Sequence, residues 1–268
     1  MAAKIIAFAN QKGGVGKTTC CINLSAAVSM LKQKVLLIDL DPQGNATMGS
    51  GVNKLEAKFT SGDVLQEKVS LSTAIVTTSC FDLLPSNIDV TEAEVNVLKQ
   101  TNRHHKLNLA ITPILSKYDF IFIDCPPALN ILTLNALIAA HSVIIPMQCE
   151  YYALEGLSSL MSTIEDLNHF NENLRIEGII RTMYDSRNKL CKDVSEQLVE
   201  HFGKLVYSTV IPRNVRLAEA PSHGLSILSY DLASSGAKAY IKLAKEFLKN
   251  QTKQRNVHRQ ITTSKEIA

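Results

Sequence analysis

Two residues after the apolar run Ile5-Ile6-Ala7-Phe8-Ala9 comes Lys12-Gly13-Gly14-Val15-Gly16-Lys17-Thr18-Thr19. Together they spell a strand, a glycine-rich turn and the start of a helix. Three glycines let backbone N–H groups turn inward around an anion with no Cβ in the way. The helix expected from about Lys17 aims the positive end of its dipole at the same point. Such a turn is a phosphate cradle, in which Lys17 faces the β/γ-phosphates and the Thr18 hydroxyl is placed to ligate Mg²⁺, as in a Walker A loop. The usual G-x-x-x-x-G-K-[ST] pattern needs glycine at position 11. This chain has Gln11 there, and an additional lysine, Lys12, ahead of the Gly-Gly pair.

Around that turn, strand-like and helix-like stretches alternate to the end, the signature of βαβ units and an α/β fold with a mostly parallel sheet and helices on both faces. Strands are expected at 4–9, 35–39, 81–84, 120–124, 142–147, 176–182 and 206–211. Helices are expected at 17–31, 90–98, 106–115, 131–140, 154–168, 193–202 and 235–250, with Pro113 shortening or kinking the third. Between 45 and 80 the pattern is weakest, and a loop with a short helix near 63–67 is expected there. After Asn250 the apolar periodicity stops, so the reading is a single P-loop NTPase domain over 1–250 and a disordered basic tail over 251–268.

The chain has 268 residues, 46% of them hydrophobic, enough for one large domain with its own core. No stretch approaches membrane-spanning length, and the first apolar run reads as a strand, not a signal peptide. The six cysteines (Cys20, Cys21, Cys80, Cys125, Cys149, Cys191) show no C-x-x-C spacing, which suits buried thiols in a reducing cytoplasm. The net charge of +3 resides in the tail: without 251–268, the 28 basic residues fall to 24 and the 25 acidic residues to 24. Nucleic-acid affinity of the folded body must then come from a local patch.

Two further motifs accompany the turn. The second strand ends in Asp39-Leu40-Asp41-Pro42-Gln43-Gly44, with both carboxylates on one face by period 2 and at the end of the strand where open α/β sheets bind ligands. Asp41-Pro42 also fits a simple Asx turn. Phe120-Ile121-Phe122-Ile123-Asp124 is a Walker B pattern: four apolar residues, then an aspartate able to hold Mg²⁺ through water.

Taken together, the double-lysine turn, the paired aspartates and the Walker B strand resemble the deviant Walker A ATPases and, within them, the ParA/Soj partition ATPases. The resemblance spans roughly 4–250, and Val210-Ile211-Pro212-Arg213-Asn214-Val215-Arg216 looks closely like the chromosomal members. It implies a set of expectations. ATP and Mg²⁺ are the cofactors, cradled by Lys12, Gly13, Gly14, Val15, Gly16, Lys17, Thr18 and Thr19, with Pro212 and Asn214 bordering the adenine. Thr18, Asp39 and Asp124 serve the metal, and Asp41 positions and activates the attacking water. Lys12 reaches the phosphates of a partner subunit in an ATP-dependent homodimer. Arg187 and Arg216 bind DNA without sequence preference. A ParB-type centromere-binding protein is the implied partner, in the cytoplasm and at the nucleoid. The alternatives are a MinD-like positioning ATPase, whose amphipathic C-terminal helix this polar tail does not match, and a small-substrate ATP-dependent enzyme of the same fold.

Overall fold

The computed structural model describes residues 2–151 and 153–266, apart from the side chains at 155, 168 and 254–266. In chain order the elements are β1 (Lys4–Phe8), α1 (Lys17–Met30), β2 (Val35–Asp39), α2 (Asn45–Gly49), α3 (Ser61–Leu65), α4 (Leu71–Ala74), β3 (Val76–Thr77), β4 (Asp82–Leu84), α5 (Val90–Leu98), α6 (Lys106–Ile111), β5 (Phe120–Asp124), α7 (Ile131–Ala139), β6 (Ser142–Gln148), α8 (Ala153–Asp166), β7 (Arg175–Thr182), α9 (Lys189–Phe202), α10 (Val215–Glu219), α11 (Ile227–Tyr230) and α12 (Ser235–Glu266).

The strands form one sheet in the order β3-β4-β2-β5-β1-β6-β7, parallel throughout except for the edge strand β3. The strands are apolar nearly throughout because both faces are covered. Alternate residues enter two cores: Ile5, Ala7, Ile121 and Ile123 on one face, and Ile6, Phe8, Phe120 and Phe122 on the other, with α1 and α12. On that second face Phe8 meets Phe122 edge-on at 5.6 Å, and Phe247 of α12 meets both Phe120 and Phe122. Register fixes the site. Phe8 lies opposite Asp124, and Asp39 opposite Asp124, so the glycine turn, the second-strand aspartates and the Walker B aspartate leave the sheet at one level.

One expectation needs correction. Residues 206–211 are not a strand: only isolated bridges form, Ile179 with Val206 and Tyr184 with Pro212. Backbone bonds to β7 remain at the Tyr207 and Ile211 N–H groups, and side chains take the place of the ladder between them. The Arg181 guanidinium donates to the carbonyls of Tyr207 and Ser208, and the Glu246 carboxylate accepts from the N–H groups of Ser208 and Thr209. Strand β3 was not foreseen in the sequence; at two residues it is too short to carry a pattern. The helix expected over 106–115 is shortened at Pro113, as expected: it stops at Ile111 and continues as a 3-10 turn over Thr112–Lys117.

Helix α12 runs through the boundary drawn at 250. Gln251 is buried and donates to Glu177, which also accepts from Lys4 (2.6 Å) and Ser142 (2.7 Å) at the far end of the sheet from the glycine turn. Burial opposes the Glu177 charge, but Lys4 and these hydrogen bonds outweigh it and leave its pKa below the usual range. The expectation of a disordered tail falls, from 254 on, on side chains outside the described residues.

Candidate nucleotide site

The glycine turn adopts a conformation open to few other residues. Gly14 and Gly16 have φ of 73° and 86°, in the left-handed region where a Cβ is strained. Gly16 is the N-cap of α1, no side chain caps that helix, and its first turn contains no acid. The free N–H groups and the helix dipole therefore converge on one point. The turn is braced from outside: Thr182 Oγ1 donates to the Val15 carbonyl (2.8 Å), Gln148 Nε2 to that of Gly14 (3.3 Å), and Asn10 ties the Lys12 N–H to Pro146.

The two lysines sit in different environments. Lys17 is 7% exposed, and its Nζ donates to the Lys12 carbonyl across the turn (3.2 Å). Burial lowers its pKa, opposed by Asp124, Cys125 and Asp41. The Lys12 side chain is 49% exposed and pairs with Glu150 at 2.5 Å.

The three aspartates divide in the same way. Asp39 is fully buried, and its oxygens accept from the Thr47 N–H (2.8 Å), the Thr47 hydroxyl (2.7 Å) and the Asp41 N–H (3.1 Å). It therefore ties down the start of α2. Burial pushes its pKa up to about 7 against those hydrogen bonds. Asp41 is half-buried; its Oδ1 accepts from the Gln43 N–H (2.9 Å), so the Asx turn is real, and its charge still acts on Lys17 and Asp124. Asp124 is fully buried and neither carboxylate oxygen has a hydrogen-bond partner. Burial and the Asp39 charge raise its pKa well above the usual range, while the Thr18 hydroxyl and Lys17 pull the other way.

An unpartnered buried carboxylate beside a threonine hydroxyl fits Mg²⁺, which takes one or two protein oxygens and leaves the remaining positions to water and phosphate. It also makes a testable prediction. Raised carboxyl pKa values mean that the folded state binds more protons than the unfolded chain, so the stability Asp39 contributes is present below about pH 4 and lost as pH rises through about 7, and that of Asp124 is lost in the same direction as pH rises through its own raised pKa. Asp124→Asn removes the unpaired charge and should stabilise the metal-free protein at pH 8 by about 1–3 kcal/mol. Calorimetry at pH 5 and pH 8 should show a gain that grows with pH; a gain independent of pH would contradict the assignment.

Next to the turn lies a cavity of about 180 Å³ lined by Gly16, Thr19, Met183, Pro212, Asn214 and Tyr240, among others. It brings Pro212 and Asn214 to the phosphate turn, although the Asn214 side chain is already engaged: its Oδ1 caps α10 at the Leu217 N–H, and its Nδ2 donates to Ser235. Met183 has φ of 47°, a strained value for a side chain of its kind, at the wall of this cavity. Thr182, Met183 and Tyr240 were not legible as site residues. They come from 166 or more positions beyond Gly16, and nothing in their local sequence marks them.

Arg187 and Arg216 are exposed, in the loop after β7 and in α10. Each holds an acid of its own chain. Arg187 makes a two-pronged pair with Asp185 (3.0 and 2.8 Å), which depresses the Asp185 pKa to about 2. Arg216 pairs with Glu219 (3.0 Å) and Asp231 (3.7 Å). Among the described residues, no group of three His, Cys, Asp or Glu side chains could hold a metal, and no helix is long and apolar enough to cross a membrane.

A family model described as an AAA domain matches residues 3–176. The sporulation initiation inhibitor protein Soj of Bacillus subtilis is 47% identical over 250 residues, covering 92% of this chain and 99% of that protein. The chromosome partitioning protein ParA of Caulobacter vibrioides is 45% identical over 250 residues, covering 91% and 94%. Among solved structures, cobyrinic acid a,c-diamide synthase from Mycobacterium smegmatis with bound ATP analog and magnesium superposes with a TM-score of 0.82, at 36% identity, covering 93% of this chain and 96% of that one.

Proposed function

The chain belongs to the ParA/Soj family of partition ATPases, and from that premise we propose that it is an ATP-driven switch for segregating a chromosome or plasmid. Its cofactors are ATP and Mg²⁺. The nucleotide-bound protein dimerises and holds DNA without regard to sequence. A ParB-type partner stimulates hydrolysis, and the protein then leaves the DNA, in the cytoplasm and at the nucleoid. The observation that carries this reading is the contrast between the two lysines: Lys17 is buried in its own turn, whereas Lys12 is exposed enough to serve a neighbouring subunit.

In this reading Lys17 and the N–H groups of α1 hold the β/γ-phosphates, and Pro212 borders the base. Thr18 and Asp124 would hold Mg²⁺, with Asp39 behind them; the ion supplies charge neutralisation on the phosphate oxygens. Asp41 orients a water for attack. ATP turnover of the protein alone, with non-specific DNA, and with DNA and the ParB-type partner tests the whole. Slow basal turnover raised by DNA and partner together is expected. Turnover indifferent to both and brisk only with a small substrate would favour the small-substrate alternative, for which the likeness to a diamide synthase speaks. A MinD-like role at a membrane finds no support in the polar sequence of 251–268.

For DNA, if Arg187 and Arg216 are the main contacts, a dimer neutralises four phosphates and log K falls with log salt at a slope of about −3.6. Arg216→Ala should shallow that slope by about 1.8 and weaken binding alike on all sequences. Because Asp185 already occupies Arg187, Asp185→Asn should tighten binding severalfold at low salt. Both are read by titration of fluorescent duplex at several salt concentrations, and an unchanged slope in Arg216→Ala would remove that arginine from the interface.

A further inference from the structure

The end of β6 and the loop that leads from it to α8 grip the glycine turn at two points. Gln148 donates to the Gly14 carbonyl (3.3 Å), and two residues on, Glu150 Oε2 receives the Lys12 ammonium at 2.5 Å. The grip is organised by the loop's own backbone: the Glu150 N–H donates to the Gln148 carbonyl (3.0 Å), and the Ala153 N–H to that of Glu150 (3.0 Å). The Lys12 backbone is held from the other side by Asn10 at its N–H and by Lys17 at its carbonyl. The stem of Lys12 thus has a fixed root, and its ammonium is drawn back onto its own chain by a carboxylate 138 positions away.

From this geometry we infer that Glu150 is a positioning residue for Lys12: in the nucleotide-free protomer it holds the lysine in cis and competes with the partner's ATP for it. The inference rests on the proposed service of Lys12 to a neighbouring subunit. One ammonium cannot sit against Glu150 and also engage phosphates across an interface, so closing the dimer breaks this pair in both protomers. Both side chains are about half exposed, 49% and 50%. A pair so solvated is worth at most about fivefold in an equilibrium constant. It biases the lysine without locking it, and an ATP with its several negative charges outbids a single carboxylate. With two pairs broken per dimer, the bias on dimerisation is up to about 25-fold.

The test is sedimentation of the full chain with a saturating, slowly hydrolysed ATP analogue and Mg²⁺. Glu150→Gln, which keeps size and hydrogen-bonding capacity but removes the charge, should tighten the dimer by about 2–25-fold at low salt. That gain should shrink as added salt screens the pair in the wild type. Glu150→Asp, which restores the carboxylate, should return the wild-type constant. In a Lys12→Gln background the Glu150→Gln effect should vanish, since the two substitutions then act on one interaction. A Glu150→Gln dimer no tighter than wild type, while Lys12→Gln weakens it, overturns the inference and leaves the role of Lys12 standing. A Lys12→Gln protein that dimerises like the wild type overturns the role of Lys12 and the inference with it. An equal gain from Glu150→Gln with and without Lys12 overturns the inference alone.

Discussion

Asp41→Ala is expected to lower ATP turnover by about 10²–10⁴-fold while ATP still binds and the analogue-induced dimer still forms. The carboxylate stands two residues past the end of β2, near enough to Lys17 and Asp124 for its charge to act on both. One of its oxygens is spent on the Gln43 N–H, and its carbonyl accepts from Ser86, so the backbone is pinned while the second oxygen stays available to a water. In the proposed reading, binding energy comes mainly from the glycine turn, the uncapped α1 and Lys17, none of which the substitution touches. The variant should accumulate in the ATP-bound dimer. Single-turnover hydrolysis beside a calorimetric ATP titration separates the two effects, and turnover at the wild-type rate would take Asp41 out of the chemistry. Loss of ATP affinity in step with turnover would instead mean that the Asx turn it forms shapes the site.

Lys17→Ala should weaken ATP binding by about 10–150-fold, the worth of one charge-assisted hydrogen bond of about 1.5–3 kcal/mol. The lysine is buried, and its ammonium rests on the Lys12 carbonyl, held inside the turn before any phosphate arrives. Burial makes its charge costly, and Asp124 and Asp41 partly offset that cost. An added polyphosphate would offset it further, which is why the effect should appear in binding and not only in rate. Calorimetric titration with ATP and Mg²⁺ measures it directly. Wild-type affinity in the variant would mean that the backbone alone supplies the cradle.

Much of this site can be read along the chain because each of its motifs is local. A glycine turn between a strand and a helix needs only neighbouring residues to aim its N–H groups. The aspartates at 39, 41 and 124 are marked by the apolar strands that deliver them. The alternating pattern placed the parallel strands of the sheet core, since strands buried on both faces are apolar runs whatever their neighbours. The segment 206–211 is the opposite case: it is apolar like a strand, but Arg181 and Glu246, distant in sequence, satisfy the backbone groups of Ser208 and Thr209 that a continuous ladder would have used.

What the chain by itself determined, then, is the order of strands and helices and the residues at the strand ends. Register and long-range contact decided the rest. The sheet sets Asp39 level with Asp124 in the interior, and burial of both, with the Asp39 charge acting on Asp124, makes two ordinary aspartates resist ionisation. Folding alone brings Glu150 to Lys12, Thr182 to Val15 and Gln251 to Glu177. Local spacing fixes backbone conformation, but the charge state and freedom of a side chain depend on which distant group the fold sets against it, and no run of neighbouring residues carries that information.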